Sequence, residues 1–445
     1  MKLSFTSWIR RGLTAAPVRT EPQKRPDKND NGRNEMRLKA LATALFGLFV
    51  TSAQAQTKIE LDFPTWQAEE PGPAEFWTEA VKAFEAAHPG VTIKKYQVPF
   101  REYVDKLTVR FSGGTPPDIV HLPLRNFPSF AAQGWLRPID DLLAKTDIKQ
   151  TYSPMSAELD WDGKTQGVML MGYGMLLFYN EALLKEAGAA VPKTPDELLA
   201  AIKATTKPDK GIFGWGAVTA EHPNIFVDWS SWVTGMGASL FNKDGYNFTA
   251  PEVLKAMEGF RTAVKQAPKG TSSEAMRQLF LDGKIAMFRE GSFFASQLKT
   301  APAEIRPSLK AAMMPFPVVP GGTSNSIHIP AKLDPQRTQL VWDFIQMISQ
   351  PEWQAKYTQD LKVPAPRKGS FTPEMAAADP LLAISAKASE VAVNIFPATP
   401  AVRLNYNQIA KIVGESGIRL VNSDRSTESV LKDLQDQLNR RVPLK

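Results

Sequence analysis

The 445-residue chain contains no cysteine, and this absence excludes several kinds of site. A protein without thiols has no disulfide framework, no thiolate-bound metal centre and no cysteine nucleophile. It also lacks the residue to which the lipid anchor of an exported lipoprotein is attached. We therefore expect that this protein is not a lipoprotein.

Histidine is scarce as well, and the four histidines, His88, His121, His222 and His328, lie far apart in the sequence. None of them has the spacing of a metal-binding motif such as H-E-x-x-H. The sequence also lacks a G-x-S-x-G nucleophile elbow and a phosphate-binding P-loop. We therefore expect neither a metal ion nor another cofactor.

Long hydrophobic runs are missing, because no stretch after the N-terminal region reaches the roughly eighteen apolar residues that a membrane helix requires. A shorter apolar stretch at residues 40–50 follows a basic segment at 36–39 and precedes Ala53-Gln54-Ala55. This order is typical of a cleaved secretory signal peptide. We expect a signal peptide at 36–55 and a mature chain from Gln56, which predicts a soluble protein of the periplasm. Residues 1–35 are interpreted as a disordered extension or as the product of a misassigned start codon.

An excess of charge is absent from the body of the chain. Of the 53 Lys and Arg and the 46 Asp and Glu, ten and four respectively lie in the first 55 residues. The remaining 43 basic and 42 acidic residues nearly balance, so we expect no nucleic-acid partner. A mature chain of about 390 residues exceeds what one hydrophobic core supports, which predicts two domains.

Strand and helix patterns alternate along this mature chain. Strand patterns at 58–63, 91–98 and 118–122 are separated by helix patterns at 75–87 and 103–111. Such an alternation predicts an α/β fold with a largely parallel sheet. Further on, a helix ends at Gly188, and Thr194 and Glu197 form a predicted capping box at the start of the next helix.

Several stretches resemble one known family when they are taken in order. They are PDIV…F…G.L.PID at 117–140, GVMLMGYGMLLFYNEALLKEAG at 167–188, F.DGKIAMFREGSF at 280–293 and AMMPFPVVPGG at 312–322. Each motif is short, but their order and spacing are similar to those of family 1 extracellular solute-binding proteins of the maltose-binding type. A last element, VPAPR at 363–367, lacks the glycine that the family has there.

The resemblance implies the type II periplasmic binding protein fold, in which two α/β lobes are joined by hinge strands and enclose a ligand cleft. It implies a first lobe at 56–170 plus 313–365 and a second lobe at 171–312 plus 366–445. It also implies a monomer that closes on its ligand and delivers it to the permease subunits of an ABC importer in the inner membrane.

A carbohydrate is the ligand that the resemblance favours. A sugar has apolar C–H faces that stack on aromatic rings and hydroxyls that accept and donate hydrogen bonds, so its site combines flat aromatics with polar and charged side chains. The candidate ligand-binding residues are Trp66, Glu69, Glu70, Asp118, Tyr173, Trp229, Trp232, Arg289, Ser292 and Arg367.

Structural roles remain open for several of these candidates. Trp66 is equally well explained as part of a lobe core, and Asp118 as a carboxylate that stabilises a turn. Trp229 and Trp232 lie three residues apart and share a helix face, so we expect one of them, but not both, to stack on a ligand. Tyr406 is a weaker candidate and is also compatible with packing.

Two alternatives concern the cargo and the chemistry. The same fold binds other small solutes, and a glycerol phosphodiester, a polyamine or iron stays open as the ligand. A secreted carbohydrate-active enzyme is the other alternative, with Glu69 and Glu70, or Asp140 and Asp141, as acid and base. Adjacent carboxylates diverge on a strand or helix, so neither pair is placed to flank one glycosidic bond. We therefore expect a binding protein and no enzyme.

Overall fold

A computed structural model describes residues 58–322, 325–396 and 399–444 of the chain. The predicted N-terminal extension, the signal peptide and the start of the mature chain at Gln56 all lie outside the described residues. Within the described ranges, no helix is both long and apolar enough to cross a membrane.

Strands and helices alternate through most of this part of the chain. The strands are β1 (Ile59–Thr65), β2 (Val91–Gln97), β3 (Val120–Pro123), β4 (Asp160–Trp161), β5 (Lys164–Thr165), β6 (Val168–Met171), β7 (Met175–Asn180), β8 (Phe213–Gly216), β9 (Phe241–Asn242), β10 (Gly245–Tyr246), β11 (Ile285–Gly291), β12 (Leu309–Met313), β13 (Pro320–Gly321), β14 (Asn325–His328) and β15 (Val393–Asn394). The helices are α1 (Pro73–Ala87), α2 (Phe100–Ser112), α3 (Phe127–Ala132), α4 (Asp140–Leu143), α5 (Ile148–Thr151), α6 (Glu181–Glu186), α7 (Pro195–Thr205), α8 (Asn224–Gly235), α9 (Pro251–Val264), α10 (Ser273–Leu281), α11 (Pro335–Ile348), α12 (Pro351–Leu361), α13 (Pro373–Ala378), α14 (Pro380–Val391), α15 (Pro400–Leu404), α16 (Tyr406–Asn422) and α17 (Thr427–Arg441).

The first lobe is built on β1, β2, β3, β6 and β14. β1 and β2 pair in parallel, and β14 lies between β3 and β6. Helix α1 covers this lobe with one apolar face, because Phe76, Ala80 and Phe84 are four residues apart and all are fully buried. They pack in one core with residues of α11 and α12, so the helices after β14 complete the lobe that β1 begins.

The second lobe is built on a four-stranded sheet in the order β12-β7-β11-β8. Every residue of β11 is buried, as is usual for a strand that is covered on both faces. Helices α8, α9, α16 and α17 pack together in the largest core of this lobe. Arg289 and Glu290 lie near the end of β11 and are charged residues in an otherwise largely apolar strand.

The prediction of a largely parallel sheet, made from the strands at 58–122, holds for β1 and β2 but not for β3, which pairs antiparallel with β14. Parallel pairing is found between β1 and β2, between β8 and β11, and between the short strands β13 and β15. In contrast, β7 pairs antiparallel with β11 and β12, and β14 pairs antiparallel with β3 and β6. Of the strands that pair antiparallel, β7, β12 and β14 flank the places where the chain passes between lobes. They therefore do not follow the strand–helix–strand crossovers from which parallel pairing was predicted.

The chain passes from the first lobe to the second between β6 and β7 and returns between β13 and β14. A third passage follows Ala365, since this residue packs in the first core and Ala388 of α14 packs with Leu176 and Phe178 of the second lobe. Tyr173, in the first passage, packs against the cores of both lobes. The lobe boundaries given above stay a prediction; within the segment assigned to the first lobe, Met314 and Phe316 pack with the second core.

Local sequence signals near the first passage are largely confirmed. Gly188 follows α6 with φ of 66°, a left-handed conformation that favours glycine. The Thr194 hydroxyl accepts a hydrogen bond from the Glu197 amide at 3.2 Å and so caps α7. The predicted capping box is modified, however, because the Glu197 carboxylate accepts from the Lys193 amide instead of the Thr194 amide.

Candidate functional site: the cleft between the lobes

A cavity lies between the two lobes and is lined by polar, charged and aromatic side chains of both. The first lobe contributes Trp66, Gln67, Glu70, Phe100, Arg125 and Asn325, and the second contributes Asn224, Asp228, Glu274, Arg277, Arg289, Glu290 and Phe293. Tyr173 of the first passage lies between these two sets. The volume open to the centre of a water molecule is about 80 Å³. We call this cavity the inner chamber.

Four of the predicted ligand residues line the inner chamber: Trp66, Glu70, Tyr173 and Arg289. They come from the end of β1 and the loop after it, from the first passage and from the end of β11. Glu69 lies next to them in sequence, but its side chain is exposed and is not part of the lining. These four residues are up to 223 positions apart in the chain.

Trp66 is held by an aromatic cluster in the first lobe. Its indole stacks on the His121 imidazole with a centroid distance of 4.0 Å and meets Phe100 and Tyr103 edge-on. Burial lowers the pKa of His121 to about 3, so this ring is neutral at physiological pH. The His121 Nδ1 is 2.8 Å from the Thr65 hydroxyl, which fixes the ring under the indole. A rigid aromatic surface is therefore present at one wall of the chamber.

Tyr173 is enclosed by glycines at the point where the chain passes between lobes. The Gly322 amide donates to the Tyr173 carbonyl at 2.6 Å, and a Cβ on Gly322 would lie 1.7 Å from the tyrosine ring. A Cβ on Gly291 would lie 2.6 Å from the same ring, and Phe293 meets the ring edge-on at 5.1 Å. Glycine is required at both positions, because the backbone at the end of β11 and after β13 approaches the Tyr173 ring more closely than a side chain allows.

Arg289 forms a buried ion pair with Asp228 of α8. Both side chains are 9% exposed, and the second carboxylate oxygen of Asp228 accepts from the Val218 amide. Burial raises the pKa of Asp228, and the neighbouring Arg289 charge offsets part of that rise. The pair presents a guanidinium and a carboxylate side by side, an arrangement that can bind adjacent hydroxyls of a ligand.

A second ion pair joins the lobes. Arg277 of α10 donates to Glu290 at 2.9 Å and lies 3.8 Å from Glu70 of the first lobe. Burial of the Glu290 carboxylate raises its pKa, but the charges of Arg277 and Arg289 outweigh this effect, and the pKa lies below its ordinary value. Burial raises the pKa of Glu70 to about 7. The Arg277 guanidinium lowers it, but Arg277 is shared with Glu290 and does not compensate for the lost hydration of the Glu70 carboxylate. Glu274, on the same helix as Arg277, adds a further negative charge near Glu70.

Glu70 is expected to make the stability of the protein depend on pH. Its carboxyl binds a proton more tightly in the folded protein than in the unfolded chain, where the pKa has its ordinary value of 4.5. The free energy of unfolding should therefore fall as pH rises from 4.5 to 7. Replacement with glutamine removes this proton binding. From pH 5 to pH 8, the free energy of unfolding of Glu70→Gln should therefore rise by about 2 kcal/mol relative to that of wild type. Denaturant unfolding at both pH values measures this difference.

The exposed neighbour offers the matched control. Glu69→Gln should leave the pH dependence unaltered, because its side chain is in water in both states. If the free energy of unfolding of Glu70→Gln changes with pH as that of wild type does, the proton that is bound on folding does not belong to Glu70.

Asp118, Ser292 and Arg367 lie outside the lining of the chamber. Asp118 accepts from the Asp62 amide at 2.7 Å and pairs with Arg337, so it joins β1 to α11. Arg367 pairs with Asp147 within the first lobe and donates to the Ser349 carbonyl. Ser292 is fully buried behind the end of β11.

Trp229 and Trp232 also lie outside the lining. Trp229 is fully buried, and Trp232 packs edge-on against Trp215, Phe260 and Phe316. The helix that carries them, α8, lies between α9 and α16, so both indoles face the core of the second lobe. The same helix instead presents Asn224 and Asp228 to the chamber.

Several lining residues were not predicted as ligand residues: Gln67, Phe100, Arg125, Asn224, Asp228, Glu274, Arg277, Glu290, Phe293 and Asn325. Glu290 and Phe293 stand in the same strand-end motif as Arg289, so the sequence contained a signal for them. Arg277 and Glu274 lie on an ordinary amphipathic helix, and nothing in their local pattern distinguishes them from solvated charges.

The fold and the cleft define a two-lobed binding protein, and comparison with known proteins identifies the family. Residues 79–384 match the profile of bacterial extracellular solute-binding proteins, which is more than half of the chain. The chain therefore belongs to the bacterial extracellular solute-binding protein family, and the family resemblance that the sequence motifs indicated is confirmed.

Curated relatives are distant in sequence. A putative binding protein of Brucella abortus (strain 2308) is 26% identical over 297 residues, covering 64% of this chain and 71% of that protein. The diacetylchitobiose binding protein DasA of Streptomyces coelicolor is 26% identical over 240 residues, covering 50% of this chain and 53% of that protein. The maltodextrin-binding protein MdxE of Bacillus subtilis is 24% identical over 265 residues, with coverages of 55% and 58%.

Solved structures confirm the fold. An ABC transporter solute-binding protein of Thermotoga lettingae bound with alpha-D-tagatose has a TM-score of 0.77 at 22% identity, covering 87% of this chain and all of that chain. The GacH receptor of Streptomyces glaucescens, determined unliganded and with acarbose, has a TM-score of 0.74 at 21% identity, with coverages of 86% and 98%. The predicted two-lobed type II architecture is therefore confirmed.

Proposed function

We propose that this protein binds a carbohydrate in the inner chamber by closure of its two lobes and delivers it to the permease of an ABC importer. The observation that carries the proposal is the composition of the chamber wall, which combines aromatic and other apolar side chains with charged side chains from both lobes. A sugar ring requires both kinds of contact, since its faces are apolar and its rim consists of hydroxyls. The relatives named for diacetylchitobiose and maltodextrin support the same class of ligand.

The charges of the chamber favour a neutral ligand. Four carboxylates, those of Glu70, Asp228, Glu274 and Glu290, face three guanidiniums, those of Arg125, Arg277 and Arg289. Three of the carboxylates, those of Glu70, Asp228 and Glu290, lie within ion-pair distance of an arginine, and the His222 ring, 3.8 Å from Glu274, lowers the pKa of Glu274 to about 2. A phosphodiester would need a net positive site and a polyamine a net negative one. Paired charges are instead suited to bidentate hydrogen bonds with vicinal hydroxyls.

Closure of the lobes is supported by contacts across the cleft. The Ser296 hydroxyl of the second lobe donates to the Pro71 carbonyl at 3.1 Å, and Arg403 donates to the Glu158 carbonyl at 2.8 Å. A ligand that contacts both walls of the chamber would favour this arrangement over an open one, because only the closed form offers all contacts at once. We propose that the protein is a monomer and not an enzyme, and that it is exported to the periplasm through the signal peptide at 36–55.

A ligand screen tests this function. A ligand at a hundred times its dissociation constant stabilises the native state by about 2.7 kcal/mol, so a sugar of the right type should raise the melting temperature measurably. The screen would contain monosaccharides, disaccharides and polyols beside glycerol phosphodiesters and polyamines. Stabilisation by the last two groups alone would contradict the carbohydrate assignment, and consumption of a sugar in a parallel product assay would contradict a pure binding role.

Small-angle scattering tests the mechanism. A saturating ligand is expected to reduce the radius of gyration of the protein, because the free protein samples open forms that the ligand disfavours. An unchanged radius of gyration with a ligand of demonstrated affinity would rule out closure as the response to binding.

A further inference from the structure

A second cavity adjoins the inner chamber at the lobe interface. It is lined by α2 and the turn after β3 in the first lobe and by the start of α16 in the second, and its volume open to the centre of a water molecule is about 540 Å³. We call it the outer chamber. Phe100 and Arg125 belong to the linings of both chambers and therefore mark the boundary between them.

Arg125 lies between two aromatic rings from opposite lobes. The guanidinium carbon is 5.3 Å from the centroid of Phe100 in the first lobe and 5.6 Å from the centroid of Tyr406 in the second. Cations within about 6 Å of a ring centroid are attracted to its face, so both contacts hold the side chain across the boundary. Because Tyr406 belongs to the other lobe, this sandwich is complete only when the lobes are closed.

The residues next to Arg125 and Tyr406 make a second contact between the two lobes. Asn126, which follows Arg125, donates its side-chain amide to the Asn407 side chain, which follows Tyr406. The Tyr406 hydroxyl is buried and has no hydrogen-bond partner among the described residues, and Gln408 and Lys411 also line the outer chamber. The outer chamber thus offers polar groups of its own, beyond the side chain of Arg125.

We propose that Arg125 separates the inner from the outer chamber in the closed protein and thereby restricts the ligand to a single sugar ring. This inference rests on the proposed carbohydrate function and adds the length of the ligand to it. The inner chamber offers about 80 Å³ to the centre of a water molecule, against about 540 Å³ in the outer chamber, so a ligand longer than one ring would have to extend into the outer chamber. A longer ligand would have to displace the guanidinium from both aromatic faces before a second ring could enter the outer chamber.

Binding measurements on variants test this separation. Calorimetry would use glucose, galactose, mannose and N-acetylglucosamine, and the disaccharides maltose, lactose, cellobiose and diacetylchitobiose. For wild type we expect the best monosaccharide to bind at least about tenfold more tightly than the best disaccharide, which is the scale of two displaced cation–π contacts. In Arg125→Ala we expect the ratio of the two dissociation constants to fall at least about tenfold, through tighter disaccharide binding.

Two further variants make the result specific. Arg101→Ala removes an exposed arginine that lines the outer chamber alone, and it should leave the ratio as in wild type. Arg125→Gln keeps much of the side-chain volume, and it replaces Arg125→Ala if the latter does not fold by circular dichroism. It should give an intermediate ratio.

The outcomes separate the two proposals. Wild type that binds a disaccharide as tightly as any monosaccharide overturns the length restriction while keeping the carbohydrate function. A ratio that Arg125→Ala and Arg125→Gln leave unchanged overturns the role of Arg125. Wild type that binds no sugar of either set, but is stabilised by another solute, overturns the carbohydrate function and this inference with it.

Discussion

Replacing Arg289 with alanine is expected to lower the free energy of unfolding by about 3–5 kcal/mol at pH 8, the scale for removing one partner of a buried ion pair. The carboxylate of Asp228, which is 9% exposed beside Arg289, would lose its counter-charge. Its hydrogen bond from the Val218 amide compensates for only part of that loss. Denaturant unfolding of both proteins measures the effect.

The pH dependence of this loss identifies its cause. Burial already raises the pKa of Asp228 in the presence of Arg289, and without the guanidinium the pKa should rise further. The carboxyl then takes up a proton as pH falls, so the destabilisation should be smaller at pH 5 than at pH 8. An equal loss at both pH values would instead indicate that the packing of the arginine side chain, and not its charge, stabilises the lobe.

A double variant is the matched control for the ion pair. Asp228→Asn combined with Arg289→Met removes both charges and keeps similar volumes. It should be more stable than Arg289→Ala alone, because a neutral pair leaves no uncompensated buried charge. If the double variant is as unstable as the single one, the two residues do not act as a pair.

Replacing Trp66 with alanine is expected to weaken sugar binding by about 2–4 kcal/mol, the scale of a buried aromatic hot spot. The indole lines the inner chamber and is held in one orientation by the His121 ring below it and by Phe100 and Tyr103 at its edges. Alanine leaves no aromatic face at this wall of the chamber for the apolar side of a sugar. Calorimetry with the sugar identified in the ligand screen measures the loss.

Trp229 provides the control for this prediction. It is fully buried in the second lobe and lies outside the lining of the chamber, so Trp229→Phe should lower the free energy of unfolding and leave the dissociation constant unchanged. Trp66→Phe, which keeps an aromatic face, should bind more tightly than Trp66→Ala. Loss of affinity in Trp229→Phe with normal binding by Trp66→Ala would show that the sugar stacks elsewhere.

The sequence alone was sufficient for the family, the two lobes and the local elements near the first passage between lobes. Helix starts and stops depend on contacts within a few residues, as at Gly188 and Thr194, and such contacts can be recognised in a linear pattern. The order of the motifs along the chain was equally visible, because it does not depend on how the lobes pack. Trp66, Glu70, Tyr173 and Arg289 were predicted in this way, from strand ends and a passage between lobes, and all four line the chamber.

Only the tertiary structure decided which other side chains reach the chamber. The rotation of α8 places Asp228 in the cleft and Trp229 in the core, although the two residues are adjacent and both were compatible with either role. Likewise, Arg277 approaches Glu70, and Arg125 approaches Tyr406, across hundreds of intervening residues that include a passage between lobes. Helix rotation and lobe closure are set by the packing of whole elements against one another. A pattern that extends over a few residues therefore predicts which elements form, but not which of their faces meet.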